Sequence, residues 1–354
     1  MAQLSSLESA GLIRVAQVEP DLQYLFRHVL VQDAAYASLL STDQRRLHRA
    51  VGRAVERLYP DRLDEYAPVL AHHFEQAGET RLAHTYFRRA GDTALAAYAN
   101  NEAEAHYRSA LEHNGRPAAE RHAQLLAALG EALYRQSRYE EALESWEQAV
   151  QLYQRARDLD EVARLYARSA RVVWHQGDHA RGLTLCEEGL EAVQGAAESA
   201  ELALLLHEAG RACYFNNQNE RARDFCRRAL DMAERCDAAA VQADTLATLG
   251  VLPDTPSEEA AQMLGRAVEL AESAGHLEIA VRAHHNLAVA LRGTLADFDG
   301  AFLHFMRAAD LAKKRGAAHE EIFSVGAAMG VVLDNGPASE IEALLPRLEH
   351  LYRT

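Results

Sequence analysis

The stretch LLAALGEALYRQSRYEEALESWEQAV, residues 125–150, sets the reading of the whole chain. Its apolar residues recur at three- and four-residue spacing, the period of an amphipathic helix rather than of a strand. A polar break around Ser137 splits the pattern, so the stretch predicts two helices joined by a turn. The first carries Leu129, Gly130 and Leu133; the second carries Ala142, Trp146 and Ala149. Small residues let two antiparallel helices approach closely, and the large one between them fills the gap.

The same arrangement recurs along the chain. The small-large-small triad of the second helix returns as Ala103/Tyr107/Ala110, Gly182/Cys186/Gly189, Ala222/Cys226/Ala229, Ala260/Leu264/Ala267 and Ala301/Phe305/Ala308. First-helix small residues fall at Gly91, Gly130, Ala170, Gly210, Gly250 and Ala288. Two sub-patterns that repeat in step resemble the tetratricopeptide repeat, and the resemblance implies an all-α, right-handed α-solenoid of helix pairs. From Gly130 to Ala170, Gly210 and Gly250 the step is 40 residues, against about 34 in the standard unit, so each helix is expected to run longer than usual. Turns are expected at Gly177-Asp178, Asn216-Asn217, Asp299-Gly300 and Asn335-Gly336-Pro337. Thr255 is expected to cap a helix whose first position is Pro256, with Glu258 closing a capping box. Near the start the register doubles, so that residues 80–98 serve one pair as second helix and the next as first. The core is expected to include Leu129, Leu133, Trp146, Val173, Leu249, Leu264, Leu287 and Phe305.

Composition agrees with this reading. Hydrophobic residues make up 49% of 354, aromatics only 7%, and prolines number 8, so long uninterrupted helices are allowed and a large sheet is not. A formal net charge of −15 argues against nucleic-acid binding, whose affinity comes mainly from neutralising phosphates. No apolar run approaches the roughly 20 residues of a membrane span, and the N-terminus lacks the basic start and apolar core of a secretory signal. The expected location is the cytoplasm.

Residues 1–59 read differently from 60–354. A short helix over Leu4–Ser9 ends at Gly11, a hairpin turns around Glu19-Pro20-Asp21, and two further helices follow. This segment looks like a winged-helix remnant. Its Phe26-Arg27-His28, Tyr36-Ala37-Ser38-Leu39 and Arg46-Leu47-His48, with Leu70-Ala71-His72-His73-Phe74 beyond, resemble the stretch joining ATPase and helical repeats in bacterial signal-transduction ATPases, including cyclase-associated ones. The resemblance implies that an ATPase domain lies upstream as a partner and that the repeats sense a ligand or protein. The chain itself has no GxxxxGK[ST] motif, so nucleotide binding does not carry over. Seven arginines against six acids in residues 1–59 leave no basic recognition helix of the DNA-reading kind.

No catalytic, cofactor or metal set emerges. Seventeen histidines include the neighbours His72-His73 and His284-His285, which point about 100° apart on a helix and chelate poorly. No HExxH motif or zinc-type spacing is present. Cys186 and Cys226 occupy the same slot as Trp146 and Phe305 and read as core fillers.

The concave face is the candidate site. In the tetratricopeptide pattern, first-helix positions around the small residue line the inner groove. Here these give Tyr134 and Arg135, with Gln124 and Glu131; Arg164, Arg171, Trp174 and His175; His207, Arg211, Tyr214 and Phe215; then Arg282 and His285, with Arg292. The set is cationic and aromatic in an acidic chain, suited to an acidic peptide or protein, unless the arginines already pair with Glu131, Glu208 and their neighbours. Replacing Arg171 and Arg211 is expected to cost binding while leaving the melting temperature nearly unchanged. The leading expectation is a non-catalytic regulatory scaffold, the arm of a larger ATPase. A DNA-binding regulator using the winged helix, and an enzyme's accessory subunit, are the alternatives.

Overall fold

The computed structural model describes residues 2–17, 23–113, 119–335 and 338–353. The chain divides into two compact units, Met1–Ser145 and Trp146–Thr354.

The first unit opens with α1 (Ala2–Ser9), β1 (Ile13–Gln17) and β2 (Gln23–Phe26), then α2 (Val29–Ala37) and α3 (Ser41–Leu58). The strands are antiparallel, with Ile13 opposite Phe26 and Val15 opposite Tyr24. The expected hairpin turn at Glu19-Pro20-Asp21 lies outside the described residues. After a short 3-10 turn come α4 (Ala67–Gln76), α5 (Thr80–Ala96), α6 (Asn100–Glu112) and α7 (Ala119–Arg135). As the doubled register predicts, α5 packs on both α4 and α6. α3 packs on α4, where Gly52 lets the Phe74 ring reach the helix backbone.

α8 (Tyr139–Ala156) leads into the second unit, which holds α9 (Leu159–His175), α10 (His179–Ala192), α11 (Ala200–Phe215), α12 (Asn219–Arg235), α13 (Ala239–Leu249), α14 (Ser257–Ser273), α15 (Leu277–Gly293), α16 (Phe298–Arg315), α17 (Ala318–Asn335) and α18 (Ala338–Arg353). Within this unit α9, α11, α13, α15 and α17 each pair with the following helix, and these five also touch in series. They form one row of first helices. Among the described residues no strand occurs after Phe26, and no helix is long and apolar enough to cross a membrane.

The small-large rule holds in atomic detail. A methyl group on Gly210 would lie 2.5 Å from Cys226 Sγ, one on Gly250 2.6 Å from Leu264 Cγ, and one on Gly91 2.6 Å from Tyr107 Cε1. These are the first-helix and second-helix positions that the sequence pairs. All eight expected core residues are buried. Turns use a left-handed residue, as at Gly177 (φ 88°), Asn217 (φ 58°) and Gly275 (φ 71°), a conformation that ends a helix and that glycine adopts freely and asparagine tolerates.

Two local expectations need correction. Asp299-Gly300 is not a turn but the first turn of α16: Asp297 caps it by accepting from the Gly300 amide at 2.9 Å, and Ala296 supplies the left-handed residue. Thr255 does not cap α14. Pro256 takes the N-cap position, because the Thr255 hydroxyl donates to the Leu249 carbonyl at 3.1 Å, closing the end of α13 instead. The turn expected at Asn335-Gly336-Pro337 lies outside the described residues.

Candidate functional site

In the second unit the row of first helices encloses a cavity of about 400 Å³. Its wall is built by Arg171, Trp174 and His175 from α9, Arg211 from α11, Asp244 from α13, Glu278, Arg282 and His285 from α15, and Glu320, Phe323 and Ser324 from α17. The small residue of each first helix faces the second-helix partner, and the other side of the helix reaches the cavity through Arg171, Trp174, His175 and Arg211, one, four or five places after it, and through Asp244, Arg282 and His285, three or six places before it.

One end of the cavity rests on a buried charge network. The Arg171 guanidinium donates to Glu208 and to Asp244, each at 2.8 Å. Arg282 donates to the Asp244 carboxylate, to its carbonyl at 2.6 Å and to the Thr248 hydroxyl at 3.2 Å. His207 Nε2 lies 3.2 Å from Asp244. Burial alone would push the Glu208 and Asp244 carboxyls up. The neighbouring groups outweigh it, chiefly the Arg171 and Arg211 guanidiniums for Glu208, and Arg282 with the His207 ring for Asp244, so both acids are held below the usual carboxylate range. Glu208 drives the Arg171 guanidinium the other way, upwards.

Arg211 differs. Among the described residues it makes no hydrogen bond; its nearest acid is Glu208 at 3.9 Å. Its guanidinium lies 4.0 Å from the centre of the Trp174 ring, and burial pushes its pKa down. The Trp174 indole N–H is buried with no hydrogen-bond partner, as is His285 Nδ1. Trp174 in turn meets Phe215 at 4.9 Å and His175 at 4.8 Å.

Two further acids line the cavity. Glu278 and Glu320 share Arg315, at 3.4 and 2.7 Å, Glu278 also lies 3.9 Å from Arg171, and Glu320 Oε2 is buried without a donor. Phe323 is 62% exposed and stacks on His285 at 4.8 Å.

Of the residues picked from sequence, Arg171, Trp174, His175, Arg211, Arg282 and His285 converge on this cavity. Tyr214 and Phe215 stand beside it as ring neighbours, and His207 lies buried beneath it. Arg164 is engaged with Glu161 at 3.0 Å on its own helix. Tyr134 and Arg135 belong to the first unit, where Arg135 donates to Glu131 and to the Leu95 carbonyl, each at 2.9 Å. Sequence reasoning missed Asp244, Glu278, Glu320, Phe323 and Ser324. Asp244 was within reach: it stands six places before Gly250, as Arg282 stands before Ala288. α17 offered no such reference, because Gly326, Ala327, Ala328 and Gly330 give four small residues and no single register.

His207, Glu208 and Asp244 bring three ligand-type atoms within 4.8 Å of one another. The donor set does not suit a cation, since both carboxylates already face Arg171, Arg211 and Arg282, and a divalent ion would sit among three guanidiniums. The adjacent histidines also bind elsewhere than each other. His73 Nδ1 meets His48 Nδ1 at 2.9 Å, and His284 Nδ1 meets His304 Nδ1 at 2.7 Å.

The paired helices and their close-approach residues now agree with an independent comparison: residues 123–161 match the tetratricopeptide repeat family. The fold is a tetratricopeptide-like helical repeat. No curated protein matches the chain. Among solved structures, aspartyl phosphate phosphatase F from Bacillus subtilis is similar with a TM-score of 0.58 at 11% identity, over 92% of this chain and 88% of that one. Apo RapI gives 0.52 at 12% identity, over 76% and 99%. The Rap conjugation gene regulator of the plasmid pLS20, in complex with the Phr peptide, gives 0.50 at 13% identity, over 78% and 75%. At these identities the likeness is one of fold. Within the tetratricopeptide-like repeat, the cavity lies on the first-helix face.

Proposed function

We propose that this chain is a non-catalytic, cytoplasmic regulatory module that captures a peptide or protein segment on its first-helix face, and that it serves as the repeat arm of a larger signal-transduction ATPase. The observation that carries the capture reading is the cavity itself: five consecutive first helices each contribute a wall residue, with buried polar atoms left without partners. A cavity of that kind is a binding feature rather than a packing one. The peptide-bound Rap regulator of similar fold supports the same reading. The ATPase-arm reading rests on the motif resemblance of residues 26–74 alone.

The DNA-reading alternative has less support. In α3, Arg46 pairs with Asp43, Arg49 with Glu79 and Arg53 with Glu56, so the most arginine-rich helix of the N-terminal segment has largely spent its charge.

A photo-crosslinking amino acid at Phe323, in the cavity wall, tests the capture reading against the same group at Leu303, equally exposed at 65% on a second helix. Specific adducts from the host lysate are expected at Phe323 and not at Leu303; equal labelling defeats the reading. For the arm reading, an in-frame phosphate-binding loop encoded just 5′ of the Met1 codon is expected, and an in-frame stop codon there overturns it.

A further inference from the structure

Three guanidiniums, Arg171, Arg211 and Arg282, face two buried carboxylates, Glu208 and Asp244, at one end of the cavity. Arg171 and Arg282 spend their hydrogen bonds on those acids. Arg211 does not. Its side chain is nine-tenths buried, its closest acid is at 3.9 Å, and one face is covered by Trp174. A guanidinium carries five N–H donors, and those of Arg211 meet no acceptor within hydrogen-bond distance among the described residues, so the group keeps a donor edge for a ligand. Beside it the Trp174 N–H is buried and unmet.

We propose that the cavity takes a carboxylate-bearing segment of its ligand, with the carboxylate set against the free edge of Arg211 and the Trp174 N–H. The inference rests on the capture reading above and names the chemical group that the site selects. A carboxylate matches the guanidinium fork in a bidentate fashion. Glu278, 3.9 Å from Arg171, brings this end close to neutral, so the free fork of Arg211 suits a monoanion, whereas a phosphate dianion would face Asp244, Glu278 and Glu320 with one guanidinium edge to meet it. The unpaired Glu320 Oε2 gives the ligand a second contact of opposite sense, taking an N–H donor.

The test is an array of short peptides, each made in matched forms: C-terminal acid and amide, and Asp or Glu exchanged for Asn or Gln. The wild-type protein is expected to retain carboxylate forms at least tenfold better than their neutral twins. Loss on amidation assigns the main-chain terminus as the source, and loss on the side-chain exchange assigns an acidic residue. Arg211→Gln should bind both forms alike and about as well as wild type binds the neutral ones. Should Arg211→Gln fail to fold, Trp174→Phe carries the test, since it keeps a ring and deletes only the N–H, and its preference should fall at least threefold. A preference that survives Arg211→Gln, or is unmoved by Trp174→Phe when that variant stands in, overturns the proposal. Equal retention of both forms by wild type overturns the carboxylate assignment while leaving peptide capture standing; retention of no peptide overturns both.

Discussion

His48 Nδ1 lies 2.9 Å from His73 Nδ1, while His48 Nε2 lies 3.0 Å from the Tyr36 hydroxyl. This chain of three groups joins α2, α3 and α4, and so ties the N-terminal segment to the first repeats. One imidazole must donate and the other accept, so the link needs at least one neutral ring, and a doubly protonated pair loses it.

Burial, and secondarily the neighbouring rings, hold the His48 and His73 pKa values below that of a free histidine. A folded-state value below the unfolded one means that the unfolded chain binds more protons in between. The stabilisation is therefore complete above about pH 6.5 and is lost as pH falls through the lowered values. Urea midpoints of wild type should drop between pH 7.5 and 5. His73→Gln should be less stable at pH 7.5 yet show a shallower drop. Parallel slopes in the two proteins would remove this pair from the acid response.

Gly250 and Gly265 sit in paired helices and make opposite predictions. A methyl group on Gly250 would lie 2.6 Å from Leu264 Cγ, whereas one on Gly265 meets nothing within 4 Å. Gly250→Ala forces the helices apart and should cost about 1–3 kcal/mol. Gly265→Ala relieves a mid-helix glycine and should gain about 0.5–1 kcal/mol. Denaturant unfolding that gives both changes the same sign would mean that the close approach does not set the helix spacing.

The fold was legible because close helix approach demands small residues, and the demand recurs every 40 residues in a form that Gly210 and Gly250 show directly. The caps were less so, since Thr255 has two backbone groups within reach and only packing decides between them. The cavity was half legible. Periodicity puts Arg171, Arg211 and Arg282 on one face, but which of them is already spent depends on how Glu208, on the helix of Arg211, and Asp244, on α13, pair with Arg171 and Arg282 of other helices. Helical spacing carries no information on such cross-helix pairing.

Trp146 is 1% exposed and fills the large slot between Ala142 and Ala149, with Arg168 5.5 Å from its ring centre. Trp146→Ala should cost about 3–5 kcal/mol. A midpoint within error of wild type would show that neighbouring helices collapse into the space.

Arg171 and Arg211 were paired by sequence, and replacing both was expected to leave stability untouched; the geometry separates them. Arg171 is a structural cation, donating to Glu208 and Asp244 at 2.8 Å, and both acids are more than nine-tenths buried. Arg171→Ala leaves their charge undercompensated, at a cost of about 3–5 kcal/mol. Arg211→Gln instead keeps the hydrogen bonds of Arg171 and Arg282 to the two carboxylates and loses only the attraction to Glu208 at 3.9 Å and the stacking on Trp174, so it should cost clearly less, about 1–2 kcal/mol. The acid limb supplies a second readout. In wild type the two carboxyls are held below their ordinary values, so their stabilisation is present above about pH 4.5 and is lost as pH falls through the lowered values. Without Arg171, burial drives them back up, so Arg171→Ala should lose less stability than wild type between pH 5 and 3, and Arg171→Ala/Glu208→Gln should recover part of the neutral-pH loss. Equal destabilisation by Arg171→Ala and Arg211→Gln at pH 7 would erase the distinction between a guanidinium bound into the protein and one held open for a ligand.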